Sequence, residues 1–170
     1  MMLLNSSARA LACCSVVLAT TAVIRAKPWR GIIPLHSKRA DVRRLLGKPL
    51  FETRINDTYE TPNGRVTIMY ARHACEEGLP ADWGNWNVPA ETVVNIQIAL
   101  EKAIPLRVLK LKNLQRYKWY TDGSGATYYR LRNSGLEYQV QARHITGVTF
   151  GPAAKDRPLL CKQNVPEIRY

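Results

Sequence analysis

The stretch Arg54–Cys75, RINDTYETPNGRVTIMYARHAC, decides the fold. Asn63-Gly64 stands between two β-rich runs, and a two-residue type I′ turn needs positive φ at both of its centres. A β-hairpin centred there is expected. Past the turn, Val66, Ile68 and Tyr70 alternate with Arg65, Thr67 and Met69, which is the period of a strand with one buried face. That strand runs toward Cys75, so the cysteine stands at a strand end.

Working downstream, Glu76–Thr92 (EEGLPADWGNWNVPAET) reads as a long loop punctuated by Pro80, Gly84 and Pro89. TVVNIQIAL, from Thr92 to Leu100, is the next strand. Ile104–Leu114 (IPLRVLKLKNL) fits no single period and reads as a strand or an extended connector. Turns are expected at Asp122-Gly123-Ser124-Gly125 and at Asn133-Ser134-Gly135, and YQVQARHITGVTFG closes the sheet-rich region. The tripeptide Ala-Arg-His occurs at 71–73 and again at 142–144, a weak internal echo of two half-domains.

Upstream, PLHSKRADVRRLLGKP (Pro34–Pro49) reads as one short helix. Ser37 is the expected N-cap, Asp41 favours the N-terminal dipole, and Gly47 with Pro49 supplies the stop. Val42, Leu45 and Leu46 form its apolar stripe, while Lys38, Arg39, Arg43 and Arg44 are left to point elsewhere. The class expected is therefore α+β, with one short N-terminal helix packed on an antiparallel, hairpin-rich sheet.

The first 26 residues have a different character. ALACCSVVLATTAVI runs uncharged from Ala10 to Ile24, and a run of about 15 suits an export signal while falling short of the roughly 20 residues that span a bilayer. Cleavage after Ala26 leaves 27–170 as a single domain in a periplasmic or secreted setting. Cys13 and Cys14 lie too early in the apolar run for a lipid-bearing mature N-terminus, so no lipoprotein is expected. Contact with a membrane surface stays open, without a span after cleavage. Two cysteines then remain, and export makes a Cys75–Cys161 disulfide the default, closing a loop of about 86 residues. His73 is the one plausible ligand near them, which is too little for a zinc site.

The formal charge of +12 falls to about +10 once Arg9 and Arg25 leave. In an exported protein the nearby polyanions are lipid headgroups, lipopolysaccharide phosphates and acidic wall polymers, so nucleic acid is not expected. G-x-S-x-G, H-E-x-x-H and glycine-rich phosphate motifs are absent, and no cofactor is implied. His73 beside Cys75 suggests a thiol nucleophile, but the cysteine is better used in the disulfide. Glu76-Glu77 point apart on an extended chain and make a poor acid/base pair. Trp83 in the glycine-containing loop is a candidate for stacking on a ligand, whereas Trp86 reads as a lid over the sheet. Arg116–Tyr120 (RYKWY) mixes cations and aromatics, and alternate core and surface positions explain it.

Val42, Leu46, Gly47 and Pro49 resemble the short helix motif ending in Leu-Gly-x-Pro of the SmpA/OmlA-like and β-lactamase-inhibitor-protein-like envelope proteins. WRGIIPL from Trp29, WNVPAETV from Trp86 and the late Cys161 are similar to a group of exported bacterial proteins without an assigned activity. The first resemblance implies a small helix-on-sheet scaffold used in envelope assembly or protein binding. The expected function is a non-catalytic envelope or periplasmic module binding protein or an anionic surface polymer. A small hydrolase acting on cell-wall material is the alternative. The surface expected to carry binding combines Lys38, Arg39, Arg43 and Arg44 with Trp83.

Overall fold

In the computed structural model, residues 28–76, 85–109, 117–131 and 133–161 are described. The expected export signal and Trp83 both lie outside them. The helix α1 (Arg39–Leu46) precedes β1 (Phe51–Glu52), β2 (Asn56–Thr61), β3 (Gly64–Tyr70) and β4 (Val93–Pro105). After a 3-10 turn at Leu106–Leu109 come β5 (Tyr117–Thr121), β6 (Thr127–Leu131), β7 (Leu136–Gln141) and β8 (His144–Phe150). All eight strands form one antiparallel sheet in the order β1-β2-β3-β4-β8-β7-β6-β5. Two four-strand meanders thus meet where β4 pairs with β8. The architecture is α+β and mostly β, as the patterning predicts.

The expected first hairpin forms, with its turn one residue early. Thr61 pairs with Gly64, so Pro62 and Asn63 occupy the centre. Proline holds φ near −65° and suits the first central position of a type I turn, with glycine closing it. Thr61 Oγ1 donates to the Gly64 carbonyl at 2.7 Å and locks the pair. Gly64 itself is irreplaceable: its φ is +127°, and a Cβ there would stand 2.1 Å from the Ala99 carbonyl oxygen.

Register aligns one face across the whole sheet, buried over the first meander and progressively open toward β5. Tyr59, Val66, Ile98, Val148, Tyr138, Tyr129 and Trp119 are successive direct partners and share one face. Over the first meander that face is sealed by Val42 of α1 and by Ile32, giving a core with Val66, Ile68, Val93 and Ile96. Leu46 packs against this core from the side. Leu45, expected in the same stripe, is instead 47% exposed. Between Met69 and Tyr70 the β3–β4 ladder slips, so Val93 and Val94 are both buried, in different clusters.

The second cluster gathers Leu35, Trp86, Val88 and Val94, with Leu159 and Leu160 beside them. Trp86 is therefore a core residue, as expected. Its strand segment bridges Leu160, and the Cys75 and Cys161 amides donate to the carbonyls of Trp86 and Asn85. The Cys75–Cys161 disulfide staples this cluster, with the two Cα atoms 5.5 Å apart.

The Ala-Arg-His echo has no structural counterpart. Ala71–His73 follow β3, whereas Ala142 and Arg143 are the two central residues of the β7–β8 turn, with φ of +47° and +63°. That is a two-residue turn of the primed kind made without glycine, inside a segment whose sequence reads as one run.

The expected Asp122–Gly125 turn is present and is organised by one carboxylate. Asp122 Oδ1 accepts from the Ser124 amide (2.9 Å), the Ser124 hydroxyl (2.6 Å) and the Ala126 amide (3.1 Å), while Oδ2 accepts from the Tyr128 hydroxyl (2.9 Å). The Ser124 and Tyr128 hydroxyls hold its pKa below the usual 3.8. A depressed carboxylate stabilises above its unfolded value and loses that contribution as pH falls through its folded one. Protection of the Ala126 amide from hydrogen exchange is therefore expected to persist down to pH 4 and to fade below it. An Asp122→Asn variant should show no such acid step, and an unchanged Ala126 amide in acid would refute this role.

Candidate functional site

The four basic residues of the helix divide into two groups. On a helix, Arg39 and Arg43 stand at i and i+4, one turn apart on the face that also carries Val42 and Leu46. Both guanidinium groups meet Asp57, which is fully buried on β2. Arg39 Nη2 lies 3.4 Å from Asp57 Oδ1 and donates to the Thr53 carbonyl at 2.7 Å. Its Cζ sits 4.3 Å from the centre of the Tyr70 ring, and only 11% of its side chain is exposed. Arg43 reaches Glu52 at 2.6 Å and, through Nε, Asp57 Oδ2 at 3.6 Å. Tyr70 donates to Asp57 Oδ2 at 3.0 Å, with Tyr59 more distant at 3.5 Å.

Burial, with the Asp57 charge added, raises the Tyr59 hydroxyl to about 12 and the Tyr70 hydroxyl further still. For Arg43, desolvation works against the charge, and the carboxylates of Asp57 and Glu52 outweigh it. The cluster is an electrostatic latch between α1 and the first meander. Sequence reading missed its acceptor. The signal was present: Asp57 and Tyr59 share the phase of the inward face, so a lone carboxylate there requires cationic partners.

Lys38 and Arg44 point to solvent. Arg44 is 74% exposed and pairs with Asp41 at 2.9 Å. Lys38, not Ser37, takes the N-cap position, because Ser37 Oγ is occupied by the Ile33 amide at 2.9 Å. Asp41 Oδ2 accepts the Lys38 amide at 3.0 Å, and the Arg39 amide is satisfied by the Glu91 carbonyl at 2.9 Å. Capping here comes from the third helical residue and from a neighbouring loop.

A different place concentrates recognition chemistry. Trp29 and Ile32 close a tight turn through paired backbone bonds of 3.0 and 2.9 Å, with Arg30 and Gly31 at positive φ. Ile32 is fully buried and fixes the turn to the sheet, while Arg30 Cζ lies 5.3 Å from the centre of the Trp29 ring. Opposite, the β4–β8 ladder breaks between Ala99 and Ile104, and the Glu101 amide donates to the Asn63 carbonyl at 3.1 Å. Between them opens a cleft of about 470 Å³ whose apolar lining includes Ile98, Leu100 and Ile104. Arg30, Lys102, Glu101 and Asn63 supply its polar lining. An apolar lining with two cations and one carboxylate suits an anionic amphiphile or a charged polymer segment.

Among the described residues, no group of three or more His, Cys, Asp or Glu could hold a metal ion, and no helix is long and apolar enough to cross a membrane. His36 Nε2 meets the buried Asp156 Oδ1 at 3.4 Å, tying the segment before α1 to a second 3-10 turn at Ala154–Leu159. Among the same residues, no hydroxyl or thiol bonds a histidine ring. No protein-family profile, characterised protein or solved structure matches this chain.

Proposed function

We propose that this chain is an exported, non-catalytic module of the cell envelope or periplasm that binds an anionic surface polymer. The observation that carries the reading is the cleft beside Trp29, whose lining combines Arg30 and Lys102 with Ile98, Leu100 and Ile104 and a single carboxylate, Glu101. The strongly basic composition supports it, since most described acids are already paired within the protein. The Cys75–Cys161 disulfide supports an oxidising compartment. The scaffold implied by the Leu46-Gly47-x-Pro49 motif belongs to the same proposal, with α1 as the element that rigidifies the sheet. Arg39 and Arg43 serve that rigidity, which leaves Lys38 and Arg44 as a secondary, solvent-facing contribution.

Cosedimentation with purified lipopolysaccharide, and with vesicles of anionic or neutral lipid, tests the proposal. Each cation near an anionic surface contributes roughly 1 kcal/mol, so Arg30→Glu with Lys102→Glu should weaken binding by about tenfold or more. Lys38→Glu with Arg44→Glu should have a smaller effect, and added salt should weaken all of them. Equal binding to neutral vesicles, or indifference to the Arg30 and Lys102 reversals, would sink the reading.

A further inference from the structure

The two edges of the sheet are built differently. At one end β1 is only two residues long, follows Pro49, and has Glu52 held by Arg43 at 2.6 Å. Short length, proline and charge are how natural sheets blunt an edge. At the other end β5 is five residues long, Tyr117-Lys118-Trp119-Tyr120-Thr121, with no proline and one charge. Trp119 is 67% exposed and Tyr120 45%. Among the described residues, nothing pairs with the outer side of β5.

The hairpin turn fixes which backbone groups face outward. The Asp122 amide donates to the Ala126 carbonyl at 3.0 Å, so that pair is hydrogen-bonded. Alternation along an antiparallel ladder then makes Tyr120–Tyr128 and Lys118–Arg130 bonded pairs. The amides and carbonyls of Tyr117, Trp119 and Thr121 therefore point away from β6, to the free edge.

We propose that the occupant of this edge is β5 of a second copy of the chain, paired antiparallel about a twofold axis at Trp119. In that register Trp119 faces its own copy, and Tyr117 faces Thr121. Each of these pairs exchanges two backbone hydrogen bonds. Lys118 falls opposite Tyr120 of the second copy on the other face, a cation beside an aromatic ring already stacked on Tyr128 with centroids 4.9 Å apart. A slip of one residue toward Lys118 sets two ammonium groups opposite each other. A slip toward Tyr120 places Tyr117 opposite Gly123, where the chain has left the strand for the turn. The Trp119 register alone overlaps all five residues without like charges opposed. The result is one continuous sheet across two molecules, with self-complementary contact as a twofold requires.

Hydrogen exchange on the full chain at low and high protein concentration tests this without any variant. The amides of Tyr117, Trp119 and Thr121 should gain protection as concentration rises, while those of Lys118 and Tyr120 stay unchanged. Sedimentation equilibrium should show mass rising from monomer toward dimer over the same range. Trp119→Lys, which opposes two charges on the axis, should raise the dimer dissociation constant by at least tenfold. A monomer at every concentration overturns the proposal. So does association without the alternating pattern in β5, as through the N-terminal apolar run, or protection that appears only when a different protein is added.

Discussion

Replacing Asp57 with alanine is expected to cost about 3–5 kcal/mol of folding stability, because it leaves the Arg39 guanidinium, 11% exposed, facing only the solvent-exposed Glu91 carboxylate at 3.7 Å. The loss should appear as a lower urea midpoint with an unchanged slope. Most of it comes from stranding a charge, not from the worth of the pair. Desolvating both ions offsets much of their attraction, and a buried pair is often replaced by apolar groups at little net cost. An Arg39→Met, Asp57→Ala double variant should therefore recover much of the stability lost in Asp57→Ala alone. Tyr70 would keep a solvent-poor hydroxyl without its acceptor, so recovery should be incomplete. Strictly additive losses in the two single variants would refute the latch.

The latch also shows what was legible in the residues and what was not. Strand phase was plain: Val66, Ile68 and Tyr70 are buried to within 4% exposure, as their alternation demands. Helix position was plain too, from Gly47 and the spacing of Val42 and Leu46. The role of the arginines was hidden, because charge is ordinarily read as pointing outward. Arg39 and Arg43, expected to point away from the apolar stripe, instead turn with Val42 toward the sheet, and only the strand pairing identifies Asp57 as what they meet there. The β7–β8 turn was hidden for a different reason. Ala142 and Arg143 have no left-handed preference, and tertiary pairing of the two strands forces that backbone on them. Pro62 moved the first turn by one residue through its fixed φ, a local effect that the Asn63-Gly64 signal obscured. The cleft beside Trp29 was out of reach, since it depends on a ladder break in β4 that brings residues some seventy positions apart to one place.

Loss of the disulfide is expected to be as costly as loss of Asp57, by a separate route. Cys75 and Cys161 lie 86 residues apart, and cross-linking a loop of that size removes unfolded-state freedom worth about 4.6 kcal/mol in the chain-entropy treatment. Cys161→Ser should lower the unfolding midpoint accordingly. The native-state consequence should be local. The Trp86–Leu160 bridge and the donation from the Cys161 amide to Asn85 hold the same segment, so the second cluster should open before the helix-covered core does. Hydrogen exchange at Cys75, Asn87 and residue 161 should quicken in the variant, while Ile68 and Ile96 on the central strands change only with global stability. Intact-mass comparison after alkylation, with and without reductant, reports the bond itself. If both thiols alkylate without reductant in the protein isolated from its host, the staple is absent and the proposed oxidising compartment loses its support. If reduction is complete yet the midpoint does not move, the bond contributes nothing to stability. The second cluster would then be held by the packing of Leu35, Trp86, Val88 and Val94 and by the Trp86–Leu160 bridge.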